Sequence, residues 1–315
     1  MKELSIVIAV HNEEQNIKPL ISNLLHALPT TLEYEIIFVD DGSKDHTASQ
    51  IKKYMHRNIV LVELRRNVGQ SAALQAGIDL ATGKYIATMD GDLQNDAADL
   101  PMMLDVLKQN NCDFVVGIRK ERSDKIFTRK IPSYIANYIV RKVTHTNIKD
   151  NGCGIKVFHA PILKEMLLYG EKHRFLASYA AMEGATYKQV VVKHHPRIHG
   201  KSKYGLNRTL KVVADLLLIN FSQKFGQKPM YLFGTAGLLT LVSGVVILVV
   251  MLVQKLFGEN MWGRPLLVLG VLLVFIGFHI ISTGLILDIL IRSIYEKRTV
   301  LPYKIKSVTR SQQQN

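Results

Sequence analysis

Cysteine and tryptophan are scarce in this chain of 315 residues, which holds two cysteines, Cys112 and Cys153, and a single tryptophan, Trp262. The two cysteines have no metal-ligand spacing and are too few for a disulfide framework, so both are expected as free thiols. Acidic residues are also short: 26 Asp and Glu face 40 Lys and Arg, a formal charge of +14 at pH 7. Such a surplus suits an anionic partner, which leaves nucleic acid, a phosphorylated substrate or an acidic membrane surface. No Gly-x-Gly-x-x-Gly follows the first apolar stretch, which counts against a nicotinamide or flavin enzyme. A secretory leader is not expected either. Lys2 and Glu3 lead straight into Leu4–Val10, which is short, lacks a cleavage-site pattern and reads as a buried strand.

Two long apolar runs break the otherwise mixed composition. Tyr231–Val253 is an essentially uncharged run, and Pro265–Ile291 a second, interrupted only by His279 and Asp288. Each exceeds the roughly 20 residues that an α-helix needs to cross a bilayer. The connector between them is short, so the spacing predicts a hairpin with both outer ends on one side. The flanks are basic: nine Lys or Arg against one acid over Thr186–Lys228, and six against one over Arg292–Arg310. The positive-inside rule places these flanks, and the N-terminal domain with them, in the cytoplasm of a cell whose inner or plasma membrane holds the hairpin. This crowding of basic residues around the apolar runs disfavours nucleic acid as the partner. Between domain and hairpin, Asn207–Gln223 spaces Leu210, Val213, Leu216, Leu217 and Phe221 helically, either as an interfacial helix or as one packed on the domain. The expected organisation is therefore a domain over 1–206, a juxtamembrane helix over 207–228, two spans within 229–292 and a basic tail over 293–315.

The N-terminal two-thirds alternates strand and helix patterns. Strands are expected at Leu4–Val10, Tyr34–Val39, Ile59–Leu64, Tyr85–Met89 and Phe114–Val116, with helices at Glu13–Leu28, Thr47–Tyr54, Ser71–Ala81 and Leu100–Asn110. That alternation predicts an α/β domain with a doubly wound, mainly parallel sheet. Such sheets bind ligands beyond the carboxyl ends of their strands, and the polar clusters fall there. The first strand ends in His11-Asn12-Glu13-Glu14, the second in Asp40-Asp41-Gly42-Ser43 and the fourth in Asp90-Gly91-Asp92-Leu93-Gln94. An acid at the second position can accept hydrogen bonds from a ribose or base, while Asp45 and Thr47 are explained by helix capping. Asp90 and Asp92, two residues apart after an apolar strand, reach one pocket if the chain turns there, and Gly91 eases such a turn. Carboxylate and amide oxygens suit a hard cation, Mg2+ or Mn2+.

Taken in order, Ser5–Glu13, Val39–Ser43, Arg65-Arg66-Asn67-Val68-Gly69-Gln70 and Met89–Gln94 resemble the inverting family 2 glycosyltransferases. Within these the chain is most similar to the dolichol-phosphate mannose synthase and undecaprenyl-phosphate glycosyltransferase type. Asp150-Asn151-Gly152-Cys153-Gly154, the segment Arg197–Tyr204 and the two-helix tail extend the likeness over nearly the whole chain. The resemblance implies a GT-A fold and transfer of a sugar from a UDP- or GDP-linked donor to a polyprenyl phosphate, for cell-envelope glycans. It implies nucleoside contacts from Ala9, His11, Glu13 and Asp40. Asp90 and Gly91 would lie against ribose and diphosphate, and Asp92 and Gln94, with Asp90 beside them, around Mg2+ or Mn2+. Arg119, Arg129 and Ser133 would hold the diphosphate and lipid phosphate, with Arg197 and Lys203 on a basic loop over the donor. Related enzymes assemble, so a homo-oligomer is among the implied partners, besides the lipid bilayer.

One departure stands out. The family usually carries Pro-x-Tyr or Pro-x-Phe where this chain has Ala9-Val10-His11, so aromatic stacking on the base does not follow. Transfer to another lipid or to a polysaccharide, or a non-catalytic nucleotide-binding role, are the alternatives. Processive polysaccharide synthases carry a Gln-x-x-Arg-Trp motif and more membrane helices, which this sequence lacks.

Overall fold

Alternating apolar residues explain how the first strand is covered on both faces. In the computed structural model, Leu4–Val10 forms β1, with Leu4, Ile6, Ile8 and Val10 turned into one hydrophobic layer and Val7 into the other. The structure describes residues 2–55, 58–119, 140–141, 144, 146–196, 221, 225, 228–260, 264–296 and 305–310. Further strands are β2 (Tyr34–Asp40), β3 (Ile59–Leu64), β4 (Tyr85–Thr88), β5 (Phe114–Arg119), β6 (Lys156–His159), β7 (Tyr187–Val192) and β8 (Ile305–Arg310). Helices are α1 (Glu14–Ala27), α2 (Thr47–Lys53), α3 (Gln70–Leu80), α4 (Asp99–Gln109), α5 (Ala160–Glu165), α6 (Leu176–Met182), α7 (Met230–Leu256) and α8 (Pro265–Glu296).

Among the described residues the strands form one eight-stranded sheet in the order β7-β5-β6-β4-β1-β2-β3-β8. The central run β4-β1-β2-β3 is parallel, as the alternation predicts. The flanks are mixed. β6 runs antiparallel to both β4 and β5, β7 is parallel to β5, and β8 is antiparallel to β3. Helix α1 and helix α4 bury Leu20, Leu24, Leu100 and Leu104 against one face, and α3, α5 and α6 bury Ala73, Ile78, Leu163 and Ala177 against the other. Both faces are thus covered, which is why the strands read as near-continuous apolar runs. The β1/β2/β3 register places Val10, Asp40 and Glu63 side by side at the carboxyl edge.

The chain divides into two compact units, residues 1–212 with 301–315, and residues 213–300. The first holds the sheet, so the basic segment after the second apolar run contributes an edge strand, β8. The second holds α7 and α8, each long and apolar enough to cross a membrane. Their outward faces are apolar and exposed, for example at Leu239, Leu252 and Phe275. The helices pack through glycines: a Cβ on Gly277 would lie 2.5 Å from the Leu241 backbone nitrogen, and one on Gly244 2.7 Å from that of Val274. Close backbone approach is the usual means of packing helices where no water drives them together. The expected juxtamembrane helix lies outside the described residues except for Phe221, Phe225 and Lys228; the rings of Phe221 and Phe225 are 5.8 Å apart.

Phe158 on β6 is fully buried and stacked on Phe114, with ring centroids 5.0 Å apart. Phe158→Ala is expected to destabilise the sheet unit by about 3–5 kcal/mol, read as a lower denaturation midpoint of the purified chain.

Candidate active site

The loops after β1, β2 and β4 meet at the carboxyl edge of the parallel strands, and hydrogen bonds knit the first two together. Asn12 donates its backbone N–H to Ser43 Oγ (2.9 Å) and accepts from Lys44 N at Oδ1 (2.8 Å). The Glu13 N–H donates to Thr47 Oγ1 (2.8 Å). His11 donates from Nδ1 to the Asp41 carbonyl (2.9 Å), leaving Nε2 to accept from Asn12 Nδ2 (3.1 Å), which fixes the neutral tautomer. Asp45 precedes His46, the N-cap of α2, and ties the starts of two helices together: its carboxylate receives Thr47 N (3.0 Å), Thr47 Oγ1 (2.6 Å) and Glu14 N (3.2 Å). Burial alone would raise the Asp45 pKa, but these hydrogen bonds outweigh it and hold the group below its ordinary value.

The adjacent acids of β2 have separate tasks. Asp41 accepts from the N–H groups of Val68 (2.7 Å) and Gly69 (2.9 Å), so it shapes the turn that opens α3. Gly69 takes φ +97°, a conformation that other residues rarely adopt. Asp40 accepts from Ser43 N (3.1 Å) and from the Ser43 hydroxyl, and burial raises its pKa above the ordinary value. Asp40 thus holds the Ser43 turn at the end of β2, and Asp41 the turn that opens α3.

Asp90 and Asp92 follow β4. Asp90 Oδ1 accepts from Gln70 Nε2 (2.9 Å), and a Cβ on Gly154 would lie 2.1 Å from Asp90 Oδ2. Buried Lys156 is close enough to interact electrostatically. Burial pushes the Asp90 pKa up and the Asp92 charge pushes the same way, while Lys156, Gln70 and Arg119 pull it back. Burial lowers the Lys156 pKa, against the pull of Cys153, Asp90 and Asp150. Asp92 Oδ1 receives Gln94 N (3.1 Å) across a turn whose left-handed residue is Leu93 (φ +63°) rather than Gly91. Glycine is needed at 91 for a different reason: a Cβ there would meet Val10 Cγ1 at 2.7 Å. The Gln94 carbonyl accepts from His195 N (2.9 Å), and Asp96 pairs with His195 (3.2 Å). The chain leading towards residue 197 is therefore fastened to this loop.

The oxygens of Asp92 and Gln94 fit a hard divalent cation, which takes few protein ligands together with substrate phosphates. The repulsion between Asp90 and Asp92 is what such a cation relieves. Among the described residues no group of three His, Cys, Asp or Glu converges. Arg119 has a partner the sequence did not indicate. Asp150 grips it through Nε and Nη2, both at 2.7 Å, and also accepts its backbone N–H. Burial opposes the charge on Arg119, but Asp150 outweighs it and raises the guanidinium pKa. Two of its three nitrogens are thus committed, and Arg119 fixes the 150–154 loop beside Asp90. Both cysteines are free and buried, with the Cys153 thiol pushed up to about 11 by burial. Arg129, Ser133, Arg197 and Lys203 lie outside the described residues.

The Glycosyl transferase family 2 profile matches residues 5–167, the stretch from β1 to just past α5, which contains the loops after β1, β2 and β4 and the 150–154 loop. The chain belongs to glycosyl transferase family 2. This glycosyltransferase is 39% identical to the dodecaprenyl-phosphate galacturonate synthase of Rhizobium johnstonii, over 99% of its own length and 94% of the relative's. It is 32% identical to an undecaprenyl-phosphate 4-deoxy-4-formamido-L-arabinose transferase of Pseudomonas fluorescens, over 98% and 90%. Its fold is similar to that of glucosyl-3-phosphoglycerate synthase from Mycobacterium tuberculosis, solved with Mn2+ and UDP. That likeness has a TM-score of 0.55 at 15% identity and covers 70% of this chain and 80% of the other. It establishes the GT-A-like architecture of this family 2 enzyme.

Sequence reasoning passed over Lys156, His173 and Arg174, which join Asp90 and Gln70, the end of the Arg65–Gln70 segment, around one cavity. Lys156 carried a signal, since a lysine opening the apolar strand Lys156-Val157-Phe158 needs a buried counter-charge. His173 and Arg174 carried none, because they come from a 3-10 turn about a hundred residues after Gln70.

The Arg119–Asp150 pair is nearly buried at both ends. Asp150→Asn is expected to cost about 3–5 kcal/mol of stability, and the joint change Arg119→Met, Asp150→Leu far less, measured by chemical denaturation. For Asp45 the sign follows from its depressed pKa. Its stabilisation is complete above the ordinary value of 3.8 and is lost as pH falls through the lower folded value. The melting-temperature gap between wild type and Asp45→Asn should therefore be widest near neutrality and close on strong acidification.

Proposed function

We propose that this family 2 enzyme moves a sugar from a nucleotide-sugar onto a polyprenyl phosphate, in a metal-dependent, inverting reaction at the cytoplasmic face of a membrane. The observation that carries the reading is the pairing of two features in one chain. Asp40 ends β2 and the Asp92–Gln94 turn follows β4, both at the carboxyl edge of the parallel strands, and 98–99% of the chain, apolar helices included, aligns with relatives named for polyprenyl-phosphate sugar transfer.

The chemistry suits what the chain provides. A phosphate monoester is already anionic near neutral pH, so the acceptor needs no strong general base. The difficulty is to bring that anion to a sugar whose leaving group is a nucleoside diphosphate. A divalent ion, held by Asp92 and Gln94, would supply charge neutralisation to that leaving group. Asp40, with Ala9, His11 and Glu13 around it, orients the nucleoside, and Asp90 holds the donor's inner end. Arg129, Ser133, Arg197 and Lys203 bind and orient the two phosphates, where bidentate arginine gives direction as well as charge. Arg119 serves mainly by holding Asp150, and with it the 150–154 loop.

Chain order supports the membrane placement. β8 lies beyond α8 yet pairs with β3, which favours an even number of crossings between it and the strands before α7. Two spans meet that condition, and the positive-inside rule favours the cytoplasmic side for their basic flanks.

Purified full-length chain, given Mg2+ or Mn2+, a short polyprenyl phosphate and a panel of UDP- and GDP-sugars, should yield a glycosyl-phosphate lipid from one donor class. Chelation should stop the transfer, and Asp92→Asn should lower kcat by about 10²–10³-fold. Donor binding without a glycosylated lipid from any donor overturns the reading.

A further inference from the structure

Two ionisable residues interrupt the second apolar run, and they differ in depth. The membrane-length stretch of α8 is Pro265–Leu290, so Asp288 lies near one end of it and His279 near the middle. At 1.5 Å per residue, His279 stands about 21 Å from the first of these residues and about 16 Å from the last. A hydrocarbon core is roughly 30 Å thick, so in a crossing helix this imidazole lies close to the mid-plane, out of reach of either headgroup layer.

Helix geometry fixes which way it faces. α8 meets α7 through Gly270, Gly277 and Gly284, where an added Cβ would lie 2.9, 2.5 and 2.7 Å from Leu248, Leu241 and Phe233. At about 100° per residue, His279 falls about 140–180° away from these glycines, and it is exposed. Leu272, Phe275, Thr283, Ile286 and Leu290 lie within about 40° of it and are exposed too, which makes one outward stripe. The imidazole stacks on Phe275, with ring centroids 5.9 Å apart, a contact that satisfies neither ring nitrogen. Thr283 Oγ1 donates to the His279 carbonyl (2.8 Å), which uses its proton and leaves the hydroxyl oxygen able to accept. A neutral imidazole carries one N–H donor and one bare nitrogen, and both are costly in hydrocarbon unless paired. Ionisable side chains at this depth therefore turn to a protein partner. In α8 the side facing α7 belongs to glycine, and His279 faces out.

We propose that the Leu272–Leu290 stripe of α8 is a contact surface between two copies of this chain, with His279 at its centre. The inference rests on the membrane-crossing part of the proposed function and adds an interface to it. A second copy is the partner this face fits, because it enters the bilayer in the same orientation and brings its own His279 to the same depth. Donor and acceptor then meet without either helix shifting. The N–H of one imidazole reaches the bare nitrogen of the other, or the Thr283 hydroxyl one turn away. The surrounding leucines, Phe275 and Ile286 recur on both copies and pack around the pair, as a self-matching contact requires.

Full-length chain labelled with donor or acceptor fluorophores, reconstituted at a series of protein-to-lipid ratios, reports association by energy transfer. Wild type should associate, and His279→Leu should weaken association about 3–20-fold. His279→Asn, which keeps a donor and an acceptor, should recover most of the loss. Oxidative cross-linking in the membrane locates the contact: Phe275→Cys and Thr283→Cys should give disulfide dimers, and Leu239→Cys, on the outward face of α7, should not. Wild type is the blank, since Cys112 and Cys153 are buried in the core of the sheet unit. A wild type that stays monomeric at every lipid ratio overturns the proposal. So does association that His279→Leu leaves unchanged, or cross-linking at Leu239→Cys in place of Phe275→Cys and Thr283→Cys. Release of the chain from vesicles by alkaline carbonate removes the membrane crossing and the interface with it. Sugar transfer is read separately, so none of these outcomes is confused with failure of the proposed reaction.

Discussion

The site depends on one constraint, the packing of the half-buried Asp90 carboxylate between elements far apart in sequence. Its oxygens face Gln70 at the start of α3 and Gly154 on the loop before β6, with Lys156 as the nearby positive charge. A carboxylate moved out of water must find hydrogen bonds and counter-charge together, or it neutralises. Meeting both demands draws three segments into contact with the end of β4. Gly154 is part of the same requirement, because any side chain there would occupy the space of the carboxylate.

A second layer fixes those segments in turn. Arg119 and Asp150 hold the 150–154 loop, and Asp41 holds the turn that begins α3. Both are acids that a survey of polar residues would count as candidate ligands, and both are spent on the protein itself. Buried charges of this kind are costly unless paired, which is why the structural acids sit on backbone N–H groups or on arginine.

The apolar hairpin obeys a different rule. Its helices touch through Gly237, Gly244, Gly270 and Gly277 and leave leucines and valines facing outward, the inverse of a water-soluble pair. The return of the chain to the sheet through β8 ties the region after the hairpin to the domain before it.

Much of this was legible in residue order. The central strands and the four helices α1–α4 follow from apolar periodicity, which is a local property, and their bounds agree within a few residues. The two apolar helices follow from length and composition, and the polar clusters from their position after apolar strands. β6, β7 and β8 escaped notice because short flank strands with a lysine or a basic tail lack a clean alternation. For Asp40 and Asp41, adjacency in sequence said nothing about which acid would hold the turn into α3; the backbone N–H groups of residues 68 and 69 decided it. The same holds for Gly91, where sequence suggested a turn and packing against Val10 supplied the reason. Sequence alone determined the fold class, the membrane-length helices and the Asp90–Gln94 cluster, since periodicity and composition are written locally. Only the tertiary structure decided that Arg119 belongs to Asp150 and that Arg174 reaches the Asp90 cavity, because pairing of distant charges depends on which strands become neighbours.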